Sequence, residues 1–120
     1  AAVAIKALNP FAPRWYVPHA EVGEENPTRF KIRGLNGTEQ GYVWPELKID
    51  EDQKMVVGMS GKGMELALRY GLMDWENFAN DQGAVAFSAQ NFALIDYALR
   101  VELAMCIVAA SYLAPEEKKT

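Results

Sequence analysis

From Ser88 to Leu113 the chain contains neither glycine nor proline. A continuous helix over 88–113 would be about 39 Å long at 1.5 Å rise per residue. Its first half has a polar side formed by Gln90, Asn91 and Asp96. Asp96 stands four residues before Arg100, the spacing of a favourable pair on one helix face. Its second half, Leu103 to Ala110, carries no charge. A helix that is apolar all round has to be covered all round. With 120 residues the chain makes one domain of modest core. A domain this small has difficulty enclosing one helix completely, which points to a second chain lying against part of it. A central helix wrapped by its own domain satisfies the pattern equally. If the helix meets another copy, Leu99, Leu103, Met105, Ile107 and Tyr112 are the candidate contacts.

The remaining sequence predicts a mainly α fold with a small N-terminal antiparallel β element. Residues 1–13 read as an arm, because Asn9-Pro10 and Ala12-Pro13 oppose regular structure. Residues 14–114 form the globular domain, and 115–120 are a polar tail. Arg14 to Val17 is a short strand ended by Pro18, and the polar, acidic stretch His19 to Thr28 is a loop. Arg29 to Arg33 alternates, with Phe30 and Ile32 on one face and Arg29, Lys31 and Arg33 on the other. That is the pattern of a strand with one wet side, and it pairs with the first strand. After the Asn36-Gly37 turn, Thr38 is the expected cap of a short helix reaching Trp44, with Glu39 in its first turn. Lys48 to Lys54 reads as a charged connection, and 55–59 is apolar but ambiguous. Ser60 caps a helix through Tyr70, with Gly71 as its stop. Asp74 is expected to cap a short helical turn carrying Trp75 and Phe78.

No catalytic, metal or cofactor site emerges. The stretch Gly58-Met59-Ser60-Gly61-Lys62-Gly63 is the nearest approach to a phosphate loop, but Val56 and Gly63 occupy the places that need glycine and Ser/Thr. It reads as a turn before a helix, with anion binding at the helix N-terminus as a weaker option. His19, the sole histidine, lies near Glu21, Glu24 and Glu25, a poor zinc set that reads as a solvated loop. It leaves no serine triad without a Gly-x-Ser-x-Gly turn. Asp50, Glu51 and Asp52 lack the ligand alternation of a calcium loop and read as a charged turn. Cys106, the one cysteine, sits in an apolar run, where burial makes a thiol inert. A lone cysteine suits a reducing cytoplasm, and no signal peptide or membrane span is recognisable. The net charge of −4 disfavours nucleic acid, whose phosphates need a basic face. Trp15 and Tyr16, directly after the arm, are candidate interface anchors.

One resemblance joins these pieces. Trp15-Tyr16-Val17-Pro18, an acidic stretch, and then Asn26 through Glu39 (with the alternating Arg29 to Arg33 and the Gly34-Leu35-Asn36-Gly37 turn) resemble the opening of tail assembly chaperones of long-tailed, siphovirus-type bacteriophages. The match covers roughly residues 15–47 by motif and the rest by character. It implies a mostly helical fold and self-association into rings or a spiral. It implies a coat on the extended, hydrophobic tape measure protein that keeps it soluble until the tail tube polymerises. It also implies that this is the short form, Lys118-Lys119 being a place for slippery codons, and that a longer frameshifted form recruits the tail tube protein. The expected place of action is the cytoplasm of the infected bacterial host, not the mature virion. The five methionines, four of them between Met55 and Met73, suit an adaptable apolar surface, although packing is their commoner use. Rival readings are another oligomeric phage component, such as a head–tail joining protein of fixed ring size, a DNA-binding regulator using Arg29, Lys31 and Arg33, and a small enzyme with a partner-shared site.

Overall fold

The computed structural model describes residues 12–112. The expected arm and tail lie outside those residues, apart from Ala12 and Pro13. The first sheet has the order β1-β2-β5, all antiparallel, from Arg14–Tyr16, Arg29–Ile32 and Leu72–Glu76. A hairpin, β3 (Leu47–Asp50) with β4 (Met55–Met59), forms the second. Ala79–Asn80 (β6) and Gly83–Ala84 (β7) form the third. The helices are α1 (Gly37–Val43), α2 (Gly61–Gly71) and α3 (Tyr97–Ala110), with 3-10 turns at His19–Glu21, Trp44–Glu46 and Ala89–Leu94.

Helix makes up 44% of the structure and strand 25%. The domain is therefore a compact α+β globule, which corrects the mainly helical fold predicted from periodicity. Three segments account for the difference. Leu72–Glu76, expected to hold a helical turn capped by Asp74, is a strand because β2 offers it a free edge and a buried partner: Trp75 pairs with Phe30, and Leu72 with Ile32. The expected connection Lys48–Lys54 supplies β3 and a turn. In that turn Asp50 Oδ1 accepts from the amides of Asp52 and Gln53, and Lys54 takes a positive φ of 53°. The ambiguous 55–59 run becomes β4.

The long helix is also corrected. Ser88 caps only a 3-10 turn, through the Asn91 amide. Ile95 is extended, and Asp96 starts α3 afresh by accepting from the Leu99 amide at 2.8 Å. Two cap-forming side chains eight residues apart make two short elements where hydrophobicity alone suggested one. Arg100 does not serve as the ion-pair partner of Asp96. Its guanidinium donates to the Phe92 carbonyl at 2.7 Å and fastens the 3-10 turn to α3. The predicted end at Leu113 lies beyond the described residues.

Other local readings hold with small shifts. The alternation in β2 survives: Phe30 and Ile32 are completely buried, while Lys31 pairs with Trp15 on the outer side. The α1 cap is Asn36, not Thr38. Its side chain accepts from the Glu39 amide, and the Glu39 carboxylate accepts from the Asn36 amide, a full capping box. Arg33 then grips the same carboxylate with two parallel hydrogen bonds of 2.9 and 2.8 Å.

The core gathers around α3. Leu103, Ala104, Ile107 and Val108 are buried against α2 residues Met64, Ala67 and Leu68 and against sheet residues Phe30, Ile32, Leu72 and Trp75. Gly71 permits this. A Cβ there would meet Ile107, with Cδ1 only 2.9 Å away, so its lack of a side chain lets α2 close on α3. The helix ends at Gly71, as expected from sequence, and the missing side chain serves close packing. At the far end Gly34 lies against the backbone of Ala110, whose carbonyl oxygen would be 2.6 Å from a Cβ. Ser111 Oγ donates to the Ile107 carbonyl and accepts from the Leu35 amide, both at 2.7 Å, and Gln40 Nε2 donates to the carbonyls of Leu35 and Ser111. The last carbonyls of α3 and the turn before α1 thus satisfy each other.

Two stability measurements follow. Gly71→Ala forces a methyl group into Ile107 and should cost about 1–3 kcal/mol in urea unfolding, the range for overpacking. The Arg33 hydrogen bonds, followed by the Asn36 amide, hold the Glu39 carboxyl below its ordinary range despite its burial. A lowered folded-state value means stability that is present above the unfolded-state value and is lost as pH falls through the folded one. Glu39→Gln should therefore destabilise by about 1–2 kcal/mol at pH 7, and the gap to the wild type should close on acidification towards pH ~3.

Candidate protein-interaction surfaces

The residues singled out from sequence separate into core and surface. Leu103 and Ile107 have no exposed surface; they belong to the chain's own core and are not available to a partner. Met105 is half-buried against that core. Leu99 is half-buried near the start of α3, and Tyr112 is 48% exposed, packed on Trp44 with ring centroids 5.3 Å apart. Trp15 stands on the outer face of the sheet beneath two cations, 5.4 Å from the Arg29 guanidinium and 5.9 Å from the Lys31 ammonium. Tyr16 lies on the inner side and donates from its hydroxyl to Glu102 of α3.

The chemical motifs are consumed inside the fold. The carboxylate of Glu46 occupies the start of α2: Ser60 Oγ donates to it at 2.6 Å while accepting from the Gly63 amide at 3.1 Å. A Cβ on Gly63 would lie 2.6 Å from Glu46 Cβ. Glu46 and the Ser60 cap thus sit together at the start of α2. The basic strand is likewise engaged, with Arg33 on Glu39 and Arg29 on Glu76. His19 stands edge-on to Tyr16, its Nδ1 3.8 Å from Glu102. Among the described residues no three His, Cys, Asp or Glu converge as metal ligands, and no helix is long and apolar enough to cross a membrane.

Two surfaces among the described residues combine exposed apolar area with a free edge or a groove. The first is the β3–β4 hairpin. Ile49, Met55 and Val57 are exposed by 54%, 50% and 61%. Among the described residues neither strand has a second strand neighbour, so both outer edges offer backbone groups outside the ladder. A bulge between Lys48 and Ile49 breaks the register. Only the base of the hairpin is anchored, through Met59 and the Ser60 amide on the Glu46 carbonyl.

The second is an open groove with a volume of about 450 Å³. It lies where the first sheet, the His19–Glu21 turn and the first turns of α3 meet. Its walls are apolar, with Pro18, Phe78, Ala98 and Leu99 among them, and Glu21, Asp96 and Glu102 supply its charges. No lysine or arginine lines it. Leu99 is the one sequence-singled residue in its wall, and Tyr16 supports it through Glu102. Sequence reasoning missed the rest, because the groove is assembled from segments as far apart as Pro18 and Glu102. The hairpin had a readable signal: the apolar Ile49 and Met55-Val56-Val57 flank a turn rich in Asp, with Asp50 supplying the turn bonds.

Beside the groove, burial, with the hydrogen bond to Glu102, pushes the Tyr16 hydroxyl well above the usual phenol range. Burial also raises the Cys106 thiol. Cys106 should accordingly react with a thiol reagent at pH 8 at least about tenfold more slowly in the native protein than in denaturant, followed by absorbance. No protein-family model matches this chain, and no curated protein or solved structure does so either.

Proposed function

We propose that this chain is a self-associating, non-catalytic protein-binding component of the kind represented by tail assembly chaperones of long-tailed bacteriophages. Copies join through the β3–β4 hairpin into rings or a spiral. The assembly coats the tape measure protein in the cytoplasm of the infected host and hands it to the polymerising tail tube protein, recruited by a longer frameshifted form. No metal or cofactor enters this reading.

The observation that carries it is the hairpin. A two-stranded ribbon is marginal by itself in water. Three large aliphatic side chains at least half exposed on so small an element leave apolar area that a second copy would cover. Unpaired edges on both strands allow pairing with the same hairpin of a neighbour, or sequential addition along an assembly. The second support is the resemblance of residues 15–47, whose Arg33-to-Glu39 turn is built as a locked helix cap. Both kinds of surface that a coating protein needs are present on separate elements: the hairpin covers residues 47–59, and the groove draws no lining residue from that range.

Light scattering after size exclusion tests the self-association. The wild type should give masses above 13.4 kDa that grow with concentration, and Ile49→Lys with Val57→Lys should hold the chain at monomer mass with an unchanged circular dichroism spectrum. A wild type that is monomeric at every concentration sinks the assembly claim. One fixed ring at every concentration would favour a joining component. The cargo claim is tested by co-expression with a tape measure protein, which should remain soluble with the wild type and precipitate with the double variant.

A further inference from the structure

The groove has a composition that selects its occupant. Resting on the reading of this chain as a coating protein, we propose that the groove takes an apolar protein segment carrying lysine or arginine, and that it is the cargo contact, distinct from the hairpin used between copies.

Three observations support this. The walls are apolar and open, at a volume of about 450 Å³, within the range of about 300–1,000 Å³ typical of sites that enclose a compact ligand. Pro18, Phe78, Ala98 and Leu99 would meet the partner's aliphatic side chains. All the charge in the lining is negative, from Glu21, Asp96 and Glu102.

Two of the three carboxylates are held in place, and all keep capacity to accept more. Asp96 caps α3 through Oδ1, while Glu21 Oε1 lies 3.1 Å from the Thr28 hydroxyl, whose shorter contact is the Asn77 carbonyl at 2.7 Å. Glu102 accepts from the Tyr16 hydroxyl and from the His19 amide through Oε2. Among the described residues no lysine or arginine pairs with any of the three. Apolar walls with carboxylates that lack a lysine or arginine partner repel an acidic segment and reward one that presents an ammonium or guanidinium beside its apolar face. A purely apolar segment would leave those carboxylates partly desolvated without compensation, so the cation supplies selectivity as well as attraction.

The probes are fluorescent peptides built from leucine, alanine and lysine, with matched versions in which glutamine or glutamate replaces lysine, titrated by anisotropy against the full chain. The lysine peptide should bind about tenfold more tightly than the glutamate peptide. Leu99→Asp should abolish its binding. Glu21→Gln with Asp96→Asn keeps the helix cap and the side-chain shapes and removes two charges; it should weaken the lysine peptide by about tenfold and leave the glutamine peptide nearly unchanged. Glu51→Gln with Asp52→Asn, on the distant hairpin turn, controls for net charge and should change nothing. Equal loss in both double variants would mean attraction to an acidic protein in general and would overturn the proposal. So would equal binding of the lysine and glutamate peptides. The Ile49→Lys, Val57→Lys variant should still bind the lysine peptide. If it does and the wild type never assembles, the groove stands while the assembly reading falls; if the wild type assembles and ignores the peptide, the reverse holds.

Discussion

The close approach of α2 to α3 at Gly71 and Ile107 is the constraint on which the rest of the domain depends. The second half of α3 has no polar side to turn towards water, so it has to be enclosed. Gly71 lets one helix in from one direction, and Gly34 lets the turn before α1 reach the backbone of Ala110. The inner face of the sheet contributes Phe30, Ile32, Leu72 and Trp75. Burying a side chain such as Leu103 or Ile107 is worth about 1.5–3 kcal/mol, so a few such residues outweigh the marginal propensities of the short strands around them. The polar knot of Leu35, Gln40 and Ser111 closes the far end without leaving the last turn of α3 unsatisfied.

One side of α3 is taken up internally, through Leu103, Ala104, Ile107 and Val108, whereas Met105, Cys106 and Ala110 are half-buried and Ala109 is exposed. The hairpin and the groove add apolar area outside that helix. The same economy applies to charge. Arg33 closes a helix cap, Arg29 pairs with Glu76, and Glu46 neutralises the start of α2. Ion pairs at partly exposed positions add little stability, and here they engage two of the three basic residues of the β2 segment. The carboxylates of the groove have no lysine or arginine partner among the described residues, and on the proposed reading that imbalance gives the surface its chemical preference.

Local pattern was a good guide wherever one element's own side chains decide its state. The alternation of Arg29 to Arg33, the pairing with Arg14–Tyr16 and the Ser60 cap of α2 were all readable, because a period of two or a cap hydrogen bond is encoded within a few residues. It failed where another segment decides. Leu72–Glu76 has no strand signal of its own and becomes one because β2 presents an edge. Ser88 and Asp96 both carry the cap chemistry, yet the absence of glycine and proline hid the break at Ile95. Hydrophobicity marked Leu99, Leu103, Met105 and Ile107 as one set, although burial divides them between groove wall and core.

The amino-acid sequence by itself determined that there is one small domain, that its last helix must be covered, that β1 and β2 pair, and that no recognisable catalytic motif is spelled out. These follow from composition, periodicity and spacing, which act over a few residues. Only the tertiary structure decided which faces are covered and which remain. Covering is a long-range property: Pro18 comes to Glu102, Gly71 to Ile107 and Gly34 to Ala110 because the chain folds back on itself, and no local pattern records which distant segment will arrive.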